Sequence, residues 1–160
     1  MSNQSKSPIL LEDFLRYNYL SALSASPSGK KIAFVLSRCA ADREGYESCI
    51  WLLDPETGAQ RQLTTFGRER SFLWEDEDTL LFPSLRDPAD LAAKAKGAPL
   101  TVFYRLNLNG GEAVRAFEIG MDCAVKGRLK DGSHSSCRIS GEESTSVKCV
   151  CFSAMRIISQ

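Results

Sequence analysis

The chain has one histidine, His134, and nowhere a Gly-x-Ser-x-Gly run. A Ser-His-Asp relay needs a histidine held between a nucleophile and a carboxylate, and the elbow that presents such a serine carries those two glycines. His134 stands in the least regular part of the sequence, so serine hydrolysis by this chain alone is excluded and no catalytic residue is assigned. Charge of one sign is missing too. Twenty Lys and Arg balance twenty Asp and Glu, which leaves no basic footprint for nucleic acid and no polyacidic tail. Long apolar runs are absent: Pro8 to Leu11, beside the polar start Met1 to Ser7, is too short for a signal h-region or a membrane span. No nucleic acid, no membrane and a cytoplasmic address are the resulting expectations.

What is present is the composition of a globular protein, with 43% hydrophobic and 25% charged residues. Without a secretion signal the six cysteines are read as free thiols. Four of the six, Cys123, Cys137, Cys149 and Cys151, fall after residue 121. His134-x-x-Cys137 with Cys149-x-Cys151 supplies four soft ligands. Neither half has zinc-knuckle spacing, and apolar residues to wrap a site are lacking, so no metal or cofactor is assigned. Glu75-Asp-Glu-Asp78 clusters acids without the alternation, glycine and closing glutamate of a calcium loop, and is read as a solvated turn.

Apolar residues at Leu10, Leu11, Phe14, Leu15 and Tyr19 share one helical face, which predicts a short leading helix or turn packed on the body of the protein. From Leu23 the period switches to strands. Ser21 to Ser26, Lys31 to Leu36, Cys49 to Leu53 and Gln60 to Thr64 are joined by Ser26-Pro-Ser-Gly29, a charged loop at Arg38 to Ser48, and Asp54-Pro-Glu-Thr-Gly58.

The pattern then repeats. Ser71 to Trp74, Thr79 to Phe82, Val102 to Leu108 and Glu112 to Phe117 follow in the same order, with Asn109-Gly-Gly111 as the last hairpin turn. Phe34 and Phe82 lie 48 residues apart and Gly58 and Gly111 lie 53 apart. The extra length sits in Arg86 to Gly97, where Asp87 suits an N-cap, Pro88 the first helical position and Gly97 the end, predicting a short helix on a loop. Trp51, Trp74, Phe103 and Tyr104 are expected in the core. Four strands per repeat of about fifty residues fit propeller blades better than a sandwich.

A third repeat opens at Met121, with Lys130-Asp-Gly132 matching the Ser26 to Gly29 turn, but the apolar second strand does not follow. Ser133 to Ser140 is polar and lacks alternation. A disordered tail and a slip of the reading frame near Gly132 both account for this. One base forward, the codons open to His134 through Gly141 permit Ile-Leu-Leu-Ala-Ala-Tyr-Arg-Glu, a strand-like peptide, and the coding DNA beside the Gly132 codon decides between the two. The fold class is all-β: a β-propeller fragment of two four-stranded blades plus the start of a third, with a short N-terminal helix. The divisions are a polar start and leading helix at 1–22, blades at 23–66 and 67–119, the start of a third at 120–132, and an atypical tail at 133–160.

Leu11-Glu-Asp-Phe14, Ser26-Pro-Ser-Gly-Lys-Lys-Ile-Ala-Phe34, Ile50-Trp-Leu-Leu-Asp-Pro-Glu-Thr-Gly58, Arg61-Gln-Leu-Thr64 and Pro99-Leu-Thr-Val-Phe-Tyr-Arg105 together resemble the N-terminal propeller of prolyl-oligopeptidase-family serine peptidases, nearest the acylaminoacyl-peptidase and dipeptidyl-peptidase-like branch. The Ser-Pro-x-Gly-Lys turn is shared with TolB-like propellers. The resemblance implies a propeller that caps an α/β-hydrolase domain and gates small peptides; no counterpart of that domain's triad occurs here. It implies an accessory portion of a serine oligopeptidase, inactive alone, with peptides as partners through the parent enzyme. The alternative is a non-enzymatic, TolB-like interaction module. Unpaired strands at blade edges predict self-association.

Overall fold

A computed structural model of the chain describes residues 8, 10–42, 44–128, 134–139 and 149–153, with no side chain described at 11 or from 124 onward. The leading segment is a short 3-10 helix, Leu11–Arg16. The Leu10 N–H donates to Asp13 Oδ2 at 2.9 Å, and the backbone is already extended at Tyr17. Six residues at three per turn spread an i, i+3, i+4 set around the axis. Leu10, Phe14 and Leu15 are consequently exposed, where a packed apolar face was expected.

The first sheet comprises β1 (Tyr19–Ala25), β2 (Ile32–Cys39), β3 (Tyr46–Leu53) and β4 (Gln60–Gln62), antiparallel and side by side in chain order. β1 starts two residues before the expected Ser21 and carries a bulge between Ser21 and Ser24, with Ala22 at φ 50°. The Ser26 to Gly29 turn closes as its residues dictate: the Ser26 N–H donates to the Lys31 carbonyl at 2.8 Å, and Gly29 takes φ 76°.

The second sheet repeats this order with β5 (Leu73–Trp74), β6 (Thr79–Pro83), β7 (Thr101–Asn107) and β8 (Val114–Ile119). Between β6 and β7 lies α1, Pro88–Ala95. Asp87 caps it by accepting from the Ala89 N–H at 2.8 Å, Pro88 opens it, and Gly97 leaves it at φ 84°. Those are the roles the sequence gives these three residues.

Pairing continues into a third sheet, in which β10 (His134–Ile139) lies between β9 (Cys123–Arg128) and β11 (Cys149–Ser153). A polar run with no alternation is therefore a strand, contrary to the expectation for 134–139. Ladder hydrogen bonds come from the backbone and do not need alternating side chains. Residues 1–7 and the remainder of 133–160 lie outside the described residues.

Ala33, Val35, Ile50 and Leu52 of the first sheet interlock with Phe72, Trp74, Leu80 and Phe82 of the second in one cluster that also takes in Val102, Tyr104 and Leu106. Leu81 and Phe103 point to the other face of the second sheet, against Phe117, Ile119 and Cys123. The second sheet is thus buried on both faces, as an inner propeller blade is. Trp74, Phe103 and Tyr104 are in the core as expected, whereas Trp51 is half-buried. It projects from β3 to the face opposite Ile50 and Leu52, away from the second sheet.

Candidate functional site

On the first sheet, the face packed against the second blade runs Ala33, Val35, Ser37 along β2 and Leu52, Ile50, Ser48 along β3, since alternate residues share a face. Apolar packing ends at Val35 and Ile50, and hydroxyls take over. Tyr19 lies across from Ser37, which lies across from Ser48, and Ser21 lies across from Val35. A cavity of about 490 Å³ opens at this end, walled by Tyr19, Ser21, Ser37, Tyr46 and Arg70 over a floor that includes Val35 and Ser48.

The Tyr19 and Tyr46 rings meet edge to face, with centroids 5.8 Å apart and planes at 77°. Desolvation, and then the Tyr46 hydroxyl beside it, push the Tyr19 phenol above its ordinary value, so it remains a neutral donor. Arg70 is exposed and, among the described residues, has no hydrogen-bond or ion-pair partner. Neither have the hydroxyls of Ser21 and Ser37.

The segment after β4 explains where Arg70 points. It returns alongside β3, where the Ser48 N–H donates to the Gly67 carbonyl at 2.9 Å and the Glu69 N–H to the Ser48 carbonyl at 3.2 Å. Extended chain sends neighbouring side chains opposite ways. Glu69 goes inward and is 0% exposed, while Arg70 faces the cavity. A buried carboxylate is tolerable only when paired. Glu69 Oε1 accepts from the Arg86 guanidinium at 2.6 Å and Oε2 from the Arg68 N–H at 3.3 Å. The Arg86 guanidinium in turn lies 5.6 Å from the Phe66 ring centroid, 5.2 Å from that of Phe82 and 5.4 Å from that of Tyr104. Burial raises the Cys49 thiol, and the Glu69 charge adds to this.

The residues singled out by sequence fall elsewhere. His134 and Cys137 are on β10 and Cys149 and Cys151 on β11, with Cys137 across from Val150; their side chains lie outside the described residues. Glu75 to Asp78 forms the surface turn between β5 and β6 that its residues predict, and two of its acids also clasp the first blade. Glu77 accepts from the Ser26 hydroxyl at 2.7 Å, the Ser28 hydroxyl at 2.7 Å and the Ser28 N–H at 3.0 Å. Asp78 pairs with Lys31. Glu75 pairs with Arg105 within its own blade, at 2.6 Å from Oε1. Asn109-Gly-Gly111 closes the turn between β7 and β8, its glycines at φ 134° and 96°. Sequence reasoning missed both the cavity and the Glu69–Arg86 pair. The signal for the cavity was two serines, Ser37 and Ser48, where the inward alternation of β2 and β3 calls for apolar residues.

No protein-family model matches the chain, and no curated protein matches it. Solved structures do. It is similar to the β-propeller domain of the Trilobed protease from Pyrococcus furiosus, at 14% identity and TM-score 0.56, over 78% of this chain and 35% of that one. Similarity to Pyrococcus horikoshii acylaminoacyl peptidase is 15% with TM-score 0.57, over 84% of this chain and 20% of that one. TolB from Acinetobacter baumannii gives 17% and TM-score 0.55, over 87% of this chain and 31% of that one. At such identities the likeness is one of fold, and the fold is that of β-propeller blades. The chain spans 35% or less of the length of each of these proteins.

Proposed function

We propose that the chain is the substrate-gating propeller portion of a cytoplasmic serine oligopeptidase of the acylaminoacyl-peptidase kind, catalytically inactive by itself and acting on peptides only through a hydrolase domain. The observation that carries this reading is the fold likeness to the propeller of a protease and to an acylaminoacyl peptidase. It is supported by the Leu11 to Phe14, Ser26 to Phe34 and Ile50 to Gly58 segments that resemble the same family. A fluorophosphonate probe, which labels an activated serine, is expected to leave this chain unlabelled. Clear labelling overturns the inactive-portion reading.

The likeness to TolB supports a second reading with equal force: a non-enzymatic propeller module that binds protein. A region encoding an α/β-hydrolase downstream in the same locus favours the first reading, and its absence favours the second. Both readings share a physical consequence. β1 is exposed along its whole length and carries Leu20 and Leu23 on the surface, and an exposed apolar strand invites pairing. Sedimentation velocity is expected to show self-association that grows with concentration, and a single monomeric boundary at all concentrations contradicts it.

A further inference from the structure

We propose that the cavity at the hydroxyl-lined end of the first two blades binds an organic carboxylate bearing an aromatic or apolar body, with Arg70 taking the carboxylate and the Tyr19–Tyr46 pair the body. This is independent of the peptidase and TolB readings.

Three features make it a binding site. Its volume of about 490 Å³ lies in the range of small-molecule pockets, roughly 300–1,000 Å³. Its lining joins an aromatic edge to a few convergent polar groups, where continued blade packing would have placed aliphatic side chains as it does at Val35 and Ile50. Its one lining cation lacks a partner among the described residues. Arg38 pairs with Glu47, Arg86 with Glu69, Arg105 with Glu75 and Arg115 with Asp90, whereas Arg70 faces the cavity with no partner among the described residues.

The charge selects the ligand. Arg70 is the one cation among the residues lining the cavity, and the neighbouring Glu69 is turned inward and paired with Arg86, so the charge presented to the cavity is that of a single guanidinium. A guanidinium fork matches a carboxylate with two parallel hydrogen bonds. The hydroxyls of Ser21 and Ser37 supply further uncharged donors. One cation with neutral donors suits a monoanion, where a phosphate dianion would call for more charge.

Isothermal titration of the full chain with N-acetyl-L-phenylalanine tests this, beside the matching amide, N-acetyl-L-phenylalaninamide. Binding of the acid is expected to be at least about tenfold tighter than that of the amide, the loss of a charge-assisted pair. R70Q is expected to weaken the acid to the level of the amide, R70K to recover part of the difference, and R16Q, altering an arginine of the leading 3-10 helix, to change nothing. Arg70 is exposed and has no partner among the described residues, so unchanged circular dichroism in R70Q separates binding from folding. N-acetyl-Gly-Gly-Phe distinguishes the two sources of such a group: tighter binding than the single amino acid assigns the site to peptide ends, and equal or weaker binding assigns it to small acids. No binding of N-acetyl-L-phenylalanine, equal affinity for acid and amide, unchanged affinity in R70Q, or displacement by equimolar inorganic phosphate overturns the proposal.

Discussion

The two four-stranded blades carry the same pattern and live in different surroundings. β6 and β7 of the second blade are buried on both faces, by the first sheet on one and by Phe117, Ile119 and Cys123 on the other. In the first blade, β3 alternates buried and half-buried residues, and β1 is exposed throughout. Phe34 and Phe82 occupy equivalent positions in the repeat, yet Phe82 belongs to the inter-blade core and Phe34 does not. A blade's sequence fixes which residues face its neighbours, and the neighbours decide what that facing is worth.

The sharpest way to break this comparison is to truncate both phenylalanines. Phe82 is fully buried, stacks on Tyr104 with centroids 6.4 Å apart, and lies under the Arg86 guanidinium. Phe82→Ala is expected to lose about 3–5 kcal/mol, from lost transfer energy plus an uncollapsed cavity. Phe34→Ala is expected to lose roughly half as much, because the face it occupies can relax toward solvent. Urea unfolding of the two variants gives both values, and equal losses would show that the first blade is as well supported as the second.

What the sequence made legible follows the same divide. The strands of the second blade were readable because a strand buried on both faces is an apolar run bounded by turns, as Thr79 to Phe82 is between Glu75-Asp-Glu-Asp78 and Arg86. The helix at Pro88–Ala95 was readable from a cap, a proline and a glycine at their proper places. The leading segment misled because Leu10, Phe14 and Leu15 have helical spacing but end up exposed; spacing reports a periodicity and not a partner. β10 was invisible because its order comes from backbone pairing with β9 and β11. The cavity and the Glu69–Arg86 pair were invisible for a third reason. They join the return segment at 67–70 to β1, β3 and the loop after β6, and no local period links residues so placed.

The Glu69–Arg86 pair sharpens the comparison from the polar side, since it fastens the first blade's return segment to the loop leaving β6. Glu69→Gln keeps the volume and removes the charge, leaving Arg86 over three rings without its anion. The expected loss is about 1.5–3 kcal/mol, the range for a hydrogen bond to a charged group. Arg86 retains partial access to water, which keeps the loss below that of a fully buried pair. A variant as stable as the wild type in urea would mean that the ring contacts hold Arg86 unaided.

The smallest effect belongs to the clasp at the other end of the cleft, where Glu77 of the second blade holds the Ser26 to Gly29 turn of the first. Hydrogen bonds from Ser28, and then from Ser26, pull the Glu77 carboxyl below its ordinary value of 4.5. A carboxylate whose folded pKa is depressed contributes stability above its unfolded value and loses it as the pH falls through the folded one. Wild type is therefore expected to melt slightly above Glu77→Gln at neutral pH. The difference should shrink as the pH drops below 4.5 and vanish once Glu77 is protonated in both the folded and the unfolded state. The Glu77 carboxylate sits half-buried at the protein surface, so added salt should also narrow the gap. A gap that persists in acid would mean that the Gln substitution disturbs the turn by shape and that the Glu77 charge contributes nothing to the clasp.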